Sequence, residues 1–388
     1  MTMTVDDTVQ WLADKQPAME EAIARLVSVN SFTENVAGGR EVGALLQADA
    51  LAIAGLDCEI RPSARFADHL IFSTKPKTEK RPIALVGHLD TVFPPGTFEG
   101  FHRDGDLARG PGVLDMKGGL VVVATALRAI AETMGLGMIA PVRLIIVADE
   151  EVGSPEGQKI IQEIARGASA ALVFEAGRKE DRIITRRKGT GGITMRATGK
   201  AAHAGANHRD GVNAIWALAR FVDLAQKLTD YDRGVTVNVG KFTGGQGKNT
   251  VPHEAEALLD IRFCTTLDGE RLVERLREAM TAACAGMTGA SITLEGGIAR
   301  FPLERSDESA ALLAAYAACA VASGLGGGEA PLIGGGSDAS TTSTMGIASI
   351  DGLGPRGVGF HTKDEQIEVA SLVPKAQALA RFLVAGWG

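Results

Sequence analysis

Three short runs constrain this chain more than anything else in it: Pro82–Val86 (PIALV), Pro141–Ala148 (PVRLIIVA) and Ala170–Phe174 (AALVF). Each is almost continuously apolar, and helical patterns separate them. Side chains alternate between the two faces of a strand, so a run that is apolar at nearly every position must be covered on both faces. A parallel-type sheet with helices packed on both sides meets that demand.

The rest of the chain divides around these runs. Helical patterns at Thr8–Val27 and Glu41–Ala54 precede β-type runs at Asp57–Arg61 and His69–Thr74, and further helices are expected at Lys117–Thr133 and Glu156–Ala165. After Arg187 the order changes. A strand at Gly192–Gly199, a helix at Gly211–Leu228, strands at Gly234–Phe242 and Glu254–Phe263, a helix at Asp268–Ala283 and a strand at Ala290–Glu295 spell β-α-β-β-α-β, the ferredoxin-like arrangement. The first pattern then resumes, with a helix at Glu308–Ala322, a strand at Ala348–Asp351 and a helix at Ser371–Ala385. The expected organisation is an α/β domain built from residues 1–187 and 299–388, with a ferredoxin-like domain, 188–298, inserted into it. Two domains suit 388 residues at roughly 150 per domain.

Composition narrows the partners. Lys and Arg total 40 against 47 Asp and Glu, a net charge of −7, and no basic run stands out, which argues against nucleic acid or an anionic membrane. No apolar run approaches the roughly 18 residues of a membrane span. The opening MTMTVDDTVQWLADKQ lacks the basic and apolar regions of a secretory signal, so a cytoplasmic protein is expected. Cys58, Cys264, Cys284 and Cys319 are scattered, which indicates neither a disulfide framework nor a thiolate metal cluster.

Chemistry gathers where the apolar strands end. His88 follows one run, at the edge where open α/β sheets place their ligand sites, and Asp90 lies two residues on, pointing the same way in extended chain. A carboxylate so placed can hold one imidazole nitrogen and leave the other for a metal. Asp115 sits between a glycine-rich loop and a helix; by itself it reads equally as a helix cap. Asp149, Glu150 and Glu151 follow another run, and three adjacent carboxylates repel one another unless a cation sits beside them. Glu175 ends the next strand, and His361 lies in a late glycine-rich loop. Each has an ordinary explanation, as a strand-end hydrogen bond or a solvated loop charge. Their shared position is what the ordinary explanations leave out. Two imidazoles with carboxylates and no cysteine suit zinc and related divalent ions.

In order and spacing, GHLDTV (87–92), GPGVLDMKGG (110–119), ADEEVGS (148–154), Glu175, GKAAHAG (199–205), GGGSDAS (334–340) and GFHTKDE (359–365) resemble the dinuclear zinc hydrolases that include glutamate carboxypeptidase of the carboxypeptidase G type, aminoacylase, acetylornithine deacetylase and succinyl-diaminopimelate desuccinylase. The likeness covers nearly the whole chain and leans toward the glutamate carboxypeptidase branch. It implies two zinc ions per subunit, with cobalt or manganese as alternatives. Asp115 would bridge them, His88 and Glu175 completing one site and Glu151 and His361 the other. It further implies Glu150 as general base to a metal-bridging hydroxide, Asp90 behind His88, and a homodimer formed through the inserted domain. His203 would stabilise the oxyanion in the partner subunit's site. Arg262 and Asn249, with Arg300 on a less certain alignment, would hold the substrate carboxylate.

Local pattern keeps other readings of the inserted domain open. His203 between small residues also fits an ordinary turn, and Arg262 shares a strand face with Asp260, which could be its partner instead of a substrate. His102, His208 and His253 have no supporting pattern and are expected to be surface or structural, and His69 a residue of the fold. The expected activity is metal-assisted hydrolysis of the amide bond of an N-acyl or N-peptidyl amino acid, releasing a C-terminal residue such as glutamate. Deacetylation or desuccinylation of a biosynthetic amino acid is the alternative. A non-catalytic binding relative and a dinuclear phosphoesterase stand further off, since every ligand position and Glu150 are filled and no phosphate-cradling motif is present.

Overall fold

The structure, a computed structural model, describes residues 4–75 and 79–387. Contacts divide the chain into two units: Met1–Arg186 with Arg305–Leu332 and Ser337–Gly388, and Arg187–Glu304 with Ile333–Gly336.

The first unit is built on a six-stranded sheet, ordered Leu56–Arg61, His69–Thr74, Val142–Val147, Ile83–His88, Ala170–Val173 and Ser349–Ile350. The last four run parallel, His69–Thr74 runs against them, and Leu56–Arg61 reverses again, so a single strand opposes the rest. All six residues of Ile83–His88 and all four of Ala170–Val173 are buried. Both parities are therefore covered, as the apolar runs require. Lys117–Thr133, Gly157–Ile164, Asp307–Val321 and Ala339–Thr344 pack on the sheet, and Leu372–Ala385 lies against Lys117–Thr133. No helix among the described residues is long and apolar enough to cross a membrane.

Several expected elements shift for identifiable reasons. The helix expected at Thr8–Val27 is two, Val5–Leu12 and Gln16–Val27. Pro17 has no N–H for the Ala13 carbonyl, so a continuous helix would lose a bond and gain a clash there. The helix expected from Glu41 starts at Val36, because the Asn35 side chain accepts from the Gly38 N–H and caps it. Pro82 cannot donate to a ladder, and the strand runs instead from Ile83 through His88. The short helix Ala339–Thr344 and a small sheet of His102–Asp104, Leu107–Arg109, Gln366–Glu368 and Gly357–Val358 were not anticipated; pieces of two to six residues carry too little period to be read.

The second unit is a four-stranded antiparallel sheet, ordered Thr236–Gly244, Glu254–Phe263, Gly189–Thr198 and Ser291–Arg300, with helices Ala214–Gln226 and Thr266–Ala283 packed on it. Numbered along the chain, the strand order is 2-3-1-4, that of a ferredoxin-like fold. Alternate residues of Glu254–Phe263 are buried, which fits a sheet with helices on one face only. The expected boundary at 298/299 falls inside the last strand, which continues to Arg300; the chain leaves this unit at Glu304. Entry and exit are side by side, since Arg187 and Leu303 exchange both backbone hydrogen bonds at 3.1 Å.

Candidate metal centre

The parallel strands deliver their C-terminal ends to one edge of the first unit's sheet, where ligand sites of open α/β folds lie. His88 is the last residue of its strand, Glu150 and Glu151 form a helical turn just beyond Val142–Val147, and Glu175 comes one residue after Phe174. Asp115 enters from the loop before Lys117–Thr133. That helix can approach so closely only because Gly119 faces the strand end: a Cβ there would sit 2.1 Å from the Phe174 carbonyl oxygen. His361 comes from the loop between Gly357–Val358 and Gln366–Glu368, with φ of +63° in the left-handed region. The segment leading into Gly357–Val358 is fastened to that of Glu175 by Gly354 N–H to the Glu175 carbonyl at 2.9 Å and Gly177 N–H to the Pro355 carbonyl at 3.0 Å.

The contacts sort around Asp115. Its Oδ1 lies 3.3 Å from His88 Nε2, which is 3.6 Å from Glu175 Oε1. Its Oδ2 lies 3.3 Å from His361 Nε2, which is 3.1 Å from Glu151 Oε2. One carboxylate thus stands between two imidazole–carboxylate pairs. Two triples, His88–Asp115–Glu151 and His88–Glu150–Glu175, have ligand atoms within 4.8 Å of one another. The first triple crosses the two halves, and the second brings Glu150 up to His88 and Glu175.

Asp90 organises this group from behind and is buried. Its Oδ1 accepts from the Glu150 N–H and its Oδ2 from the Glu151 N–H, both at 3.2 Å, and Thr33 Oγ1 donates to Oδ2 at 2.8 Å. His88 Nδ1 donates to the Asp90 carbonyl at 3.0 Å, with Asp90 Oδ1 3.3 Å away. Nδ1 therefore keeps its proton, and Nε2, which faces Asp115 and Glu175, is the nitrogen that would offer its lone pair to a metal.

Electrostatics decide what this cluster can hold. Burial, reinforced by the charge of Asp115, pushes the Glu175 carboxyl up to about 8. Burial raises Glu151 to about 7 against the hydrogen bond from His361. Burial also opposes the ionised Asp115, but hydrogen bonds from His361 and His88 hold its carboxyl far below the usual range. His361 rises to about 10 through its contacts with Asp115 and Glu151. Burial disfavours a charged His88, yet Glu175, Asp115 and Asp90 together outweigh it and raise its pKa. Protons are retained here because negative charge is concentrated, and a divalent cation supplies the same compensation. Buried Glu175 Oε1 has no hydrogen-bond partner among the described residues. No described cysteine joins the cluster. An N,O donor set of this kind fits zinc and related ions.

Sequence reasoning passed over several supports. Glu365 is buried and accepts from the N–H groups of Gly112, Leu114 and Asp115 at 3.2, 2.9 and 3.0 Å. Lys117 is buried, its ammonium donating to the Leu26 and Val29 carbonyls, both at 3.0 Å, and burial lowers its pKa to about 7. Arg356, in the His361 loop, bonds Asp181 at 2.6 Å and Glu368 at 2.9 Å, with Lys375 on the other Asp181 oxygen at 3.4 Å. A lysine among the apolar residues of a helical pattern is the signal that could have drawn attention to Lys117; Glu365 acts on backbone N–H groups and Arg356 on the Asp181 and Glu368 side chains, contacts that no local pattern reveals.

The remaining expected site residues lie in the second unit. His203 and Asn249 are neighbours: Thr250 pairs with His203, and the Ala204 N–H donates to the Asn249 carbonyl at 2.9 Å. His203 Nδ1 accepts from Gly205 and Ala206 N–H at 3.1 Å each, so the neutral ring carries its proton on Nε2. Arg262 grips Asp260 with Nε and Nη2, both at 2.8 Å, and directs Nη1 to the Gly334 carbonyl at 3.4 Å. Arg300 is buried beside Gly336 of the same glycine loop. His102 and His208 are exposed and His253 partly so. His69 is buried in the fold, accepting from the Ala148 N–H at 3.2 Å.

Residues 84–385 match the profile of Peptidase family M20/M25/M40. Carboxypeptidase G2 of Pseudomonas sp. (strain RS-16) is 28% identical over 385 residues, covering 97% of this chain and 91% of its own. Among solved structures, aminopeptidase PepT of Bacillus cereus ATCC 10987 has a TM-score of 0.78 at 22% identity, with 99% of each chain covered. The YXEP protein of Bacillus subtilis, a dinuclear metal binding peptidase, has a TM-score of 0.69 at 16% identity, with 95% of this chain and 98% of that one covered. The structural likenesses carry the fold, and the profile, spanning most of the chain, carries the family: this protein belongs to peptidase family M20/M25/M40, whose members are metal-dependent peptidases and amidohydrolases.

Proposed function

We propose that this protein releases a C-terminal amino acid, glutamate foremost, from N-acyl or N-peptidyl amino acids, acting as a cytoplasmic homodimer joined through its inserted unit. The observation that carries the reading is Asp115, one carboxylate shared at 3.3 Å between two imidazoles, each with its own glutamate. Two divalent ions, zinc foremost, would be held by His88, Asp115 and Glu175 and by Asp115, Glu151 and His361, and when bound they lower the pKa of water to about 7 and polarise the scissile carbonyl.

The protein's own groups carry the proton and the substrate. Glu150, its N–H fixed on Asp90, takes a proton from the attacking water and returns it to the leaving nitrogen. His203 in its Nε2–H form donates to the developing oxyanion; losing such a donor costs on the order of 10²- to 10³-fold in rate. Arg262 through Nη1, the one nitrogen clear of Asp260, together with Arg300 and Asn249 would hold the free α-carboxylate through charge-assisted hydrogen bonds. The likeness to a carboxypeptidase over almost the full chain supports release of a C-terminal residue, and glutamate, toward which the sequence motifs lean, is the first to try.

The test is amino-acid release by zinc-loaded protein across N-acyl and N-peptidyl amino acids, folate-like glutamates included. Selective glutamate release is expected. Release only from acetyl or succinyl diamino acids would replace this reading with the biosynthetic one, and phosphatase activity without amidase activity would overturn both. Light scattering at the mass of one chain would overturn the homodimer.

A further inference from the structure

We propose that Glu365 is a positioning residue that locks the Asp115 loop to the His361 loop, so that the two metal positions form together. The proposal rests on the two-metal reading above. Glu365 lies four residues beyond His361, and its carboxylate receives three N–H groups from the glycine-rich segment that ends in Asp115. Its backbone continues the grip: the Glu365 carbonyl accepts from the Gly110 N–H at 3.4 Å, next to the Gln366–Arg109 pair of the small sheet. The Gly110–Asp115 segment is thus held at both ends by one residue. On the other side a tight turn, Thr362 N–H to the Gly359 carbonyl at 3.0 Å and Glu365 N–H to the Thr362 carbonyl at 3.2 Å, sets where Glu365 stands relative to His361.

The arrangement does what groups behind metal ligands do elsewhere, with one difference. It orients no ligand's side chain directly; it fixes the backbone of the one ligand both ions share, from the loop that supplies a ligand to one of them. Three N–H groups gathered on one point form a concavity suited to an anion. Here the chain fills that concavity with its own carboxylate, completely buried. Loosening this clasp should weaken both ions together, because Asp115 has an oxygen on each side of the cluster.

Glu365→Gln tests this. Its amide oxygen can keep Leu114 and Asp115 while the amide NH2 faces the Gly112 N–H, donor against donor. Cobalt titration of metal-free protein, read by visible absorption, should show two ions in wild type and both bound 10- to 100-fold more weakly in the variant, as for other residues that orient metal ligands. Amide exchange at Gly112, Leu114 and Asp115 in metal-free protein should accelerate. Asp364→Asn, at the next position but exposed and paired with Arg109 at 3.4 Å, should leave cobalt binding unchanged and so controls for local loosening. If Glu365→Gln does not fold, Glu365→Asp keeps the charge and withdraws the oxygens by one methylene, with the same expected weakening. Faster exchange at Asp115 with unaltered cobalt affinity and spectrum would make Glu365 a structural brace only and overturn the proposal. Wild type that takes up no cobalt would instead overturn the two-metal reading, and this proposal with it.

Discussion

Replacing Asp90 separates two ways of disturbing the centre without touching a ligand. Its carboxylate oxygens meet four donors: His88 Nδ1, the Glu150 and Glu151 N–H groups and the Thr33 hydroxyl. In Asp90→Asn the favoured orientation puts the amide oxygen at the Oδ1 position, where it still serves His88 and Glu150. The NH2 then faces Thr33, whose hydroxyl can rotate to accept, and the Glu151 N–H, which cannot. One stranded N–H costs about 1–3 kcal/mol. In Asp90→Ala both the Glu150 and Glu151 N–H groups are stranded, on the order of 2–6 kcal/mol, while His88 keeps the residue-90 carbonyl at 3.0 Å. Residues that orient metal ligands typically contribute 10- to 100-fold in affinity. Asp90→Asn should therefore weaken zinc about 10-fold, near 1.4 kcal/mol, and Asp90→Ala about 100-fold. Chelator competition gives the affinities and melting of the metal-free proteins gives the stability order, wild type above Asn above Ala. Equal zinc affinity in both variants, or Ala tighter than Asn, would refute the reasoning.

Glu150→Ala should keep its metal content by elemental analysis and lose turnover by several orders of magnitude; an active variant would remove Glu150 from the proton-transfer role. Glu151 and Glu175 have folded pKa values of about 7 and 8, above their ordinary 4.5, so the folded metal-free protein binds more protons than the unfolded chain. That stability is fully present below about pH 4.5 and is lost as pH rises through 7 to 8. Melting temperatures of metal-free protein should accordingly fall across that window while those of zinc-loaded protein do not, and a flat metal-free profile would contradict the shifts. Tyr316 is buried, and its hydroxyl has no hydrogen-bond partner among the described residues, so Tyr316→Phe should be neutral or stabilising by roughly 1 kcal/mol in denaturant melts. A clear loss of stability would show that the hydroxyl is satisfied in solution.

Much of the fold was legible because its governing signals are local. Runs apolar at both parities demand a covered sheet, and the change to β-α-β-β-α-β order is read from local periods that recur in the strands and helices of the second unit. Strand Glu254–Phe263 was placed to the residue. What could not be read depends on where the chain meets itself. The break at Pro17 and the Asn35 cap are readable once their chemistry is sought, yet a long apolar periodicity overrode both. Four of the proposed ligands, His88, Asp115, Glu151 and Glu175, were legible because each follows or ends a strand or precedes or opens a helical turn, whereas His361 stood out only as a histidine in a glycine-rich loop. Glu365 was not, because an acid four residues after a loop histidine looks solvated until the Gly112–Asp115 N–H groups are seen to converge on it. Arg262 shows the reverse case, a residue whose alternation with Asp260 already hinted at the bidentate pair that the structure contains.

The insertion of one unit within the other also sets a timetable for synthesis. His88, Asp115, Glu151 and Glu175 are all translated before Arg187, whereas His361 and Glu365 follow only after the whole second unit. At roughly 5–20 residues per second, about 9 to 37 seconds pass between Glu175 and His361 at the ribosome. Throughout that interval the Ala170–Val173 strand awaits Ser349–Ile350 and stands as an open sheet edge, the kind of surface that recruits other chains. The second unit, whose strands pair only with one another, can close in the meantime. A nascent chain stalled after Glu304 would therefore carry an insert whose four strands and two helices are complete but whose Ile333–Gly336 piece is still to come, together with an unfinished first sheet, with four of the proposed ligands already made and the fifth missing. Such a fragment is one for chaperones and proteases to recognise by its exposed edge.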